Sequence, residues 1–463
     1  MPFSLAMNSV MNSAMNKFFN LFPEARLYPH KNDQADWPSL FKHAAVLPAL
    51  LLIIFIMLFV SRILYWDEWN AAQFIIRAQD EGLKLGMLWE PHNEHRIVLG
   101  RIAYYLNSLW NILPARLMIV SILIHLGIYE FLRRRVFMQI KFRSSQTWLN
   151  GIFIVTLSFF FFSPAQKQNF FWGFQIVWFF QMLGFYLAIH AALLRKKTFL
   201  VGAVFLGYLS VASWVSVLPI IGIIYLLHFV QAESQQKKLV LYEIVGFSLF
   251  SLFLFLAYVY GEPPSLKNHF FEILISQPYK PILFILQVLG SPFATLGRNL
   301  AYFCAICFIA ATCFCFKAAY FRKRALEFYL VLLAFVSSLL ICVGRVQLWT
   351  TGDFIADRYA TLVIPGWLAI FVILLTQIPN LNLEFRKYAI IVLSVLTANI
   401  WIKGIGEEYD RQVELDRART YLIEALKSDH PSDRQADMGH LYHNQEYLWN
   451  MARDLHKKNM FPF

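Results

Sequence analysis

LLLIIFIMLFVSRILYWDEW, residues 50–69, decides the fold class of this chain. From Leu50 to Leu64 the run is almost uncharged, and it then breaks into Trp66-Asp67-Glu68-Trp69. A helix of about 18 or more apolar residues reaches across a bilayer. Two adjacent carboxylates at the exit of such a run, bracketed by tryptophans, belong at a membrane–water boundary, where tryptophan is favoured. Bland polar residues would serve a simple exit equally well. The acids therefore mark a place that holds something against the bilayer surface.

Similar runs recur along the 463 residues, of which 58% are hydrophobic and 15% charged. Soluble domains lie nearer about 45–50% apolar. In lipid only helices or closed barrels satisfy their backbone groups, and a barrel would alternate instead of running continuously. The expected fold is all-α, a polytopic transmembrane helix bundle. Spans are expected near 44–65, 114–131, 147–163, 174–194, 199–212, 214–230, 239–260, 298–317, 327–343, 359–377 and 388–404, about eleven in all. Gly290, Ser291 and Pro292 interrupt 281–296, which reads as an interfacial or re-entrant piece.

The net charge of +12 reads as loop charge that sets topology, not as a nucleic-acid footprint. Arg133-Arg134-Arg135, Arg195-Lys196-Lys197, Lys237-Lys238, Arg322-Lys323-Arg324 and Arg386-Lys387 fall in alternate loops. Short basic loops are cytoplasmic, so the N-terminus is expected inside and the C-terminus outside. Residues 1–43 then form a polar cytoplasmic arm with a surface helix at Phe18 to Phe22 and no cleavable signal peptide. Residues 44–404 form the bundle, and 405–463 a small external helical domain, with apolar residues at helical spacing in 417–427 and 441–455. The external segments are 66–113, 163–173, 261–297 and 344–358, and such loops usually carry function. All the cysteines, Cys304, Cys307, Cys313, Cys315 and Cys342, lie in apolar runs and read as packing residues.

Within the first external loop, Ala71 to Leu85 is amphipathic and suits an interfacial helix. His92-Asn93-Glu94-His95-Arg96 follows, and a helix there would set His92, His95 and Arg96 on one side. A carboxylate such as Asp67, with Glu68 beside it, can take the proton of an acceptor hydroxyl. His92, Glu94, His95 and Arg96 are candidate substrate ligands, since His and Arg stabilise a leaving phosphate. A divalent metal on His92, Glu94 or His95 is a further option that the spacing does not specify. Arg345 and Arg358, with Tyr359 beside the latter, bracket the last external loop. Positive charge outside runs against the topology bias, so an anion is the expected partner. Lys280 is a further phosphate candidate. Asn169-Phe170-Phe171-Trp172-Gly173-Phe174-Gln175 reads as an interfacial aromatic belt able to stack on a sugar. No nucleotide-binding loop is present, which disfavours an ATP-driven pump.

The adjacent acids after the first helix, the helix count and the external C-terminal domain resemble the GT-C superfamily of membrane glycosyltransferases. Within it, the likeness is to the branch of protein O-mannosyltransferases and the bacterial aminoarabinose transferase. Trp66-Asp67-Glu68, His92 to Arg96 and Asp357-Arg358-Tyr359 also resemble poorly characterised bacterial polytopic proteins. The resemblance implies a polyprenyl-phosphate-linked sugar donor, Asp67 as base, Arg345 and Arg358 at the donor phosphate, and a place in the bacterial inner membrane. The acceptor would be a glycan, glycolipid or protein of the envelope, with membrane lipids as neighbours. Two alternatives stay open: a lipid-linked saccharide flippase, and an O-antigen polymerase or ligase. No nucleic-acid partner is expected.

Overall fold

The computed structural model describes residues 39–93, 95–110, 112–137, 147–260, 270–349, 357–378, 382–428, 439–458 and 460. The expected surface helix at Phe18 to Phe22 lies outside them, as does Glu94. The fold is an all-α polytopic bundle, as expected, with no strand among the described residues. The main helices are α1 Leu47–Phe59, α2 Asp67–Glu81, α3 Val98–Ser108, α4 Pro114–Arg135, α5 Thr147–Phe161, α6 Ile176–Leu193, α7 Lys197–Tyr208 and α8 Val217–Gln231. They continue as α9 Ser234–Val259, α10 Tyr279–Gly290, α11 Arg298–Lys317, α12 Ala325–Arg345, α13 Ala360–Gln377, α14 Leu383–Ser428 and α15 Gln445–Lys457.

Among the described residues, 10 helical stretches are long and apolar enough to cross a membrane. The chain is a multi-pass membrane protein. Two expected spans are shorter than the apolar pattern suggested. α1 has 13 residues and α7 has 12. At about 1.5 Å per residue neither reaches the roughly 30 Å of a hydrocarbon core unaided. α1 stops because Val60 turns extended ahead of Ser61 and Arg62. At the other extreme, the expected span at 388–404 and the expected outer helix at 417–427 are one helix of 46 residues. Its charged C-terminal half is carried by pairs within the helix, Arg411 to Glu408 and Lys403 to Glu407. Gly404 does not break it. A Cβ there would come within 2.7 Å of Pro164 Cβ, so the glycine lets α14 approach that turn.

Hydrogen bonds sort the chain into two ends. Trp172 donates to Tyr65 O, Ala212 N–H to His95 Nδ1, Asn169 to Arg358 O, and Arg411 to Phe171 O. Residues 60–93, 95–110, 112–113, 162–175, 209–216, 258–260, 357–361 and the C-terminal half of α14 therefore share one end, the acid-bearing end. The basic clusters occupy the other helix termini. Tyr279–Leu296 is long enough to span, yet it both enters and returns at the acid-bearing end. Pro281 O accepts from Cys342 Sγ near the end of α12, and the turn at Ser291–Leu296 packs on Pro164–Gln166. That is the re-entrant geometry expected from the Gly290-Ser291-Pro292 break.

Small residues draw the core together. A Cβ on Gly184 of α6 would lie 2.9 Å from Ala203 O and from Gly207 N of α7, so the two backbones touch. In lipid, where apolar burial between helices gains little, such close approach supplies the packing. α9 faces outward along most of its length, with Leu249 and Phe253 exposed as a lipid-facing helix requires. The amphipathic helix expected at 71–85 is α2, whose Trp69, Ala72 and Ile75 are buried. The tail closes over it: Trp66 N–H donates to Leu441 O at 2.8 Å, and Tyr447 OH to Gln73 at 3.1 Å.

Candidate functional site

The site grows from the start of α2. Trp66 has φ of 48°, a left-handed conformation uncommon for a bulky residue. Its bond to Leu441 holds it there. This corner makes Asp67 and Glu68 the first-turn residues of α2, where the helix dipole favours negative charge.

The two acids then part. Glu68 folds back under the corner and is 1% exposed. Its Oε2 accepts Tyr65 N–H at 2.8 Å and its Oε1 accepts Tyr104 OH at 3.0 Å. Burial pushes its pKa up to about 7, against the pull of those bonds, a bond from Phe174 N–H and the charge of Arg411. Gly173 is required here, because a Cβ would fall 2.7 Å from Glu68 Oε1 and 3.0 Å from Pro114 O.

Asp67 keeps a side chain that is 26% exposed. His92 Nε2 lies 3.6 Å from its Oδ1, an ion-pair distance longer than a hydrogen bond. The His92 ring leans on Phe174 at 4.9 Å. The helix expected through His92 to Arg96 does not form. His92 and His95 exchange backbone bonds of 2.7 and 2.9 Å across a tight turn, with Asn93 at φ of 52°. His95 Nδ1 accepts from Ala212 N–H at 3.4 Å, which leaves the proton on Nε2 in the neutral ring. The residue is half-buried. Burial lowers its pKa to about 3; the charges of His92 and Arg358 add to that and Asp67 opposes it.

Arg358 is brought to the same cluster from the start of α13. Asn169 Nδ2 donates to Arg358 O at 2.8 Å and also holds Thr361, which donates to Gln166. Its guanidinium lies 5.5 Å over the Tyr359 ring, and that ring is wedged 6.1 Å from Trp178. Asp357, the neighbour that could neutralise it, pairs instead with Lys167 at 3.3 Å, which also binds Glu407. Arg358 has no carboxylate partner among the described residues.

The remaining candidates lie elsewhere. Arg96 turns away from the cluster: its guanidinium caps the end of α9 through Tyr258 O at 2.9 Å and Tyr260 O at 2.8 Å, and stacks on Trp89. Tyr359 is buried as the prop for Arg358. Lys280 and Arg345 mark a neighbouring corner, where α10 meets the end of α12 through Cys342 and Pro281. No group of three metal-ligating side chains forms among the described residues. Residues that the sequence did not announce also shape the site: Tyr104, Lys167, Glu408, Arg411 and Tyr442. Lys167 and Arg411 carried the same signal as Arg358, a positive charge in a segment expected to lie outside. Tyr442 sits close enough to Asp67 that the carboxylate adds to the rise of its pKa, which burial mainly causes.

The arrangement places one half-open carboxylate beside a neutral histidine, a second imidazole and an arginine with spare donors. A carboxylate can take a proton there, and the nitrogen donors can hold a developing oxyanion. No protein-family model, curated protein or solved structure matches the chain.

Proposed function

We propose that this chain is an inverting membrane glycosyltransferase that moves a sugar from a polyprenyl-phosphate donor to a hydroxyl of a cell-envelope acceptor. The reading places the acid-bearing end on the outer face of a bacterial inner membrane. The observation that carries it is the convergence of Asp67 and Arg358 on His95, with neither of them held by an opposite charge at hydrogen-bond distance. A carboxylate and a guanidinium, each left with capacity for a ligand, come together at one end of a lipid-embedded bundle. A structural ion pair would have joined them to each other or to Asp357.

In this mechanism Asp67 accepts the proton of the acceptor hydroxyl. The freed oxygen attacks the anomeric carbon, and the bond from that carbon to the phosphate oxygen breaks. The electron pair leaves with the phosphate, whose charge Arg358 and the nearby imidazoles stabilise. Phosphate leaves already ionised, so no protonated acid is needed on that side. Glu68, locked by Tyr65 and Tyr104, positions the corner that carries Asp67.

The test uses the full chain in lipid nanodiscs with a panel of polyprenyl-phosphate sugars, and measures release of free polyprenyl phosphate. Wild type is expected to consume one donor, and an Asp67→Asn protein that inserts and folds normally is expected to consume it about 10²–10⁴-fold more slowly. Undiminished turnover by Asp67→Asn overturns the reading.

A further inference from the structure

We infer that a cavity between the exit of α1 and the C-terminal half of α14 binds the phosphate-bearing headgroup of an anionic membrane lipid. The cavity measures about 400 Å³, and its lining includes none of Asp67, His92, His95 or Arg358. That size suits a small polar ligand, since such pockets run from about 300 to 1,000 Å³. The inference does not depend on the transferase reading.

The charge balance of the lining favours an anion. Arg62 comes from the α1 exit, and Arg417 and Arg419 come from α14, against one acid, Asp416. Asp416 is already engaged, accepting from Ser61 Oγ at 3.4 Å and facing Arg419 at 3.6 Å. Arg62 and Arg417 are exposed and have no carboxylate partner among the described residues. Guanidinium forks match phosphate oxygens in pairs. The floor is firm, because Ser61 N–H donates to the buried Gln412 at 2.8 Å and Gln412 in turn donates to Glu408. Glu408 is bound by Arg411, so no unpaired acid stands behind the cavity.

The position identifies a lipid as the source of that phosphate. The lip of the cavity is apolar, with Leu58 68% exposed and Phe59 edge-on to Tyr409 at 5.6 Å. Below it, Leu50, Ile54 and Met57 continue the exposed apolar face of α1. The cavity thus lies where apolar side chains give way to charged ones on both helices, which is the headgroup layer. A site for a soluble anion has no need of this lip. A lipid uses both parts, acyl chains along α1 and phosphate at Arg62 and Arg417.

The experiment is native mass spectrometry of the full chain with phosphatidylglycerol, phosphatidylcholine and inorganic phosphate as probes. Wild type is expected to retain phosphatidylglycerol over phosphatidylcholine. Arg62→Ala/Arg417→Ala is expected to weaken that retention by about tenfold or more. Arg134→Ala, at the basic end, is expected to leave it unchanged. If the double alanine variant fails to fold, Arg62→Gln alone is expected to show a smaller loss in the same direction. Equal retention of phosphatidylcholine, or full retention by a folded double variant, overturns the inference. Displacement of the lipid by an equal concentration of inorganic phosphate overturns the lipid assignment and makes the cavity a soluble-anion site.

Discussion

Asp67 and Glu68 are neighbours in the chain and of one chemical type, yet they belong to opposite environments. Glu68 joins a closed corner in which each charge is matched: Tyr65 and Tyr104 donate to it, Arg411 binds Glu408, and Lys167 binds Asp357 and Glu407. Asp67 faces an open corner, where His92 stops short of a hydrogen bond and Arg358 keeps spare donors. The closed corner has used its bonding capacity on itself, and the open one has kept its capacity for a ligand. The difference teaches that charge density does not locate chemistry here. In the proposed mechanism unfilled capacity does, and it is available because the closed corner absorbs Asp357 and Glu68.

The largest effect expected from breaking this contrast is in turnover. Asp67→Asn should lower transfer by about 10²–10⁴-fold, the usual contribution of a general base, while thermal stability in detergent stays close to wild type. Glu68→Ala should do the reverse. It leaves the Tyr104 hydroxyl and the Tyr65 N–H without their acceptor, at about 1–3 kcal/mol for each buried group. It should therefore appear first as lost folded yield. If the two variants fail in the same way, the two corners are not distinct. Next in size is Arg358→Ala, expected to cost about 10²-fold in kcat/KM, the scale of losing one donor to a developing oxyanion. Arg358→Lys should recover part of it, since the charge returns without the fork.

How much of this was legible in the sequence depends on where each partner lies in the chain. Asp67 could be read, because a charge at the exit of an apolar run is conspicuous by itself. Arg358 could be read for the same reason, as a cation at the end opposite the basic loops. The inward turn of Glu68 could not, since Tyr104 lies 36 residues away and Phe174 on another helix. Nor could Lys167, which removes Asp357 from Arg358 across the bundle. The His92 to Arg96 stretch was read as one cluster because its residues are adjacent. Asn93 in the left-handed region breaks that adjacency and sends Arg96 to the end of α9. Helix lengths misled in both directions. Apolar periodicity reports a surface that lipid or core will accept, while ends are set by local events such as the extended turn at Val60 and the charge pairs of α14.

A smaller effect tests whether the closed corner is as tight as its geometry implies. Gly173→Ala places a methyl group 2.7 Å from Glu68 Oε1 and 3.0 Å from the Pro114 carbonyl. The backbone neighbour cannot give way, so overpacking of about 1–3 kcal/mol is expected, read as a lower melting temperature. An unchanged melting temperature would mean that the corner relaxes freely.

The remaining expected effect is a slope. Burial holds the proton on Glu68 up to about pH 7 in the folded protein, against an ordinary value of 4.5. Between these values the folded state binds more protons than the unfolded one, so stability falls as pH rises across that window. Glu68→Gln stays neutral throughout and lacks this contribution. The informative quantity is the difference between the two proteins, because it isolates Glu68 from every other group. The melting temperature of Glu68→Gln should decline less than that of wild type from pH 5 to pH 7, and the two curves should run parallel above it. Tyr104→Phe should extend the wild-type decline to higher pH, because the lost hydroxyl bond favoured the charged carboxylate in the folded state. Parallel curves for wild type and Glu68→Gln over the whole range would show that Glu68 titrates as an ordinary exposed acid, which removes the distinction between the corners at its root.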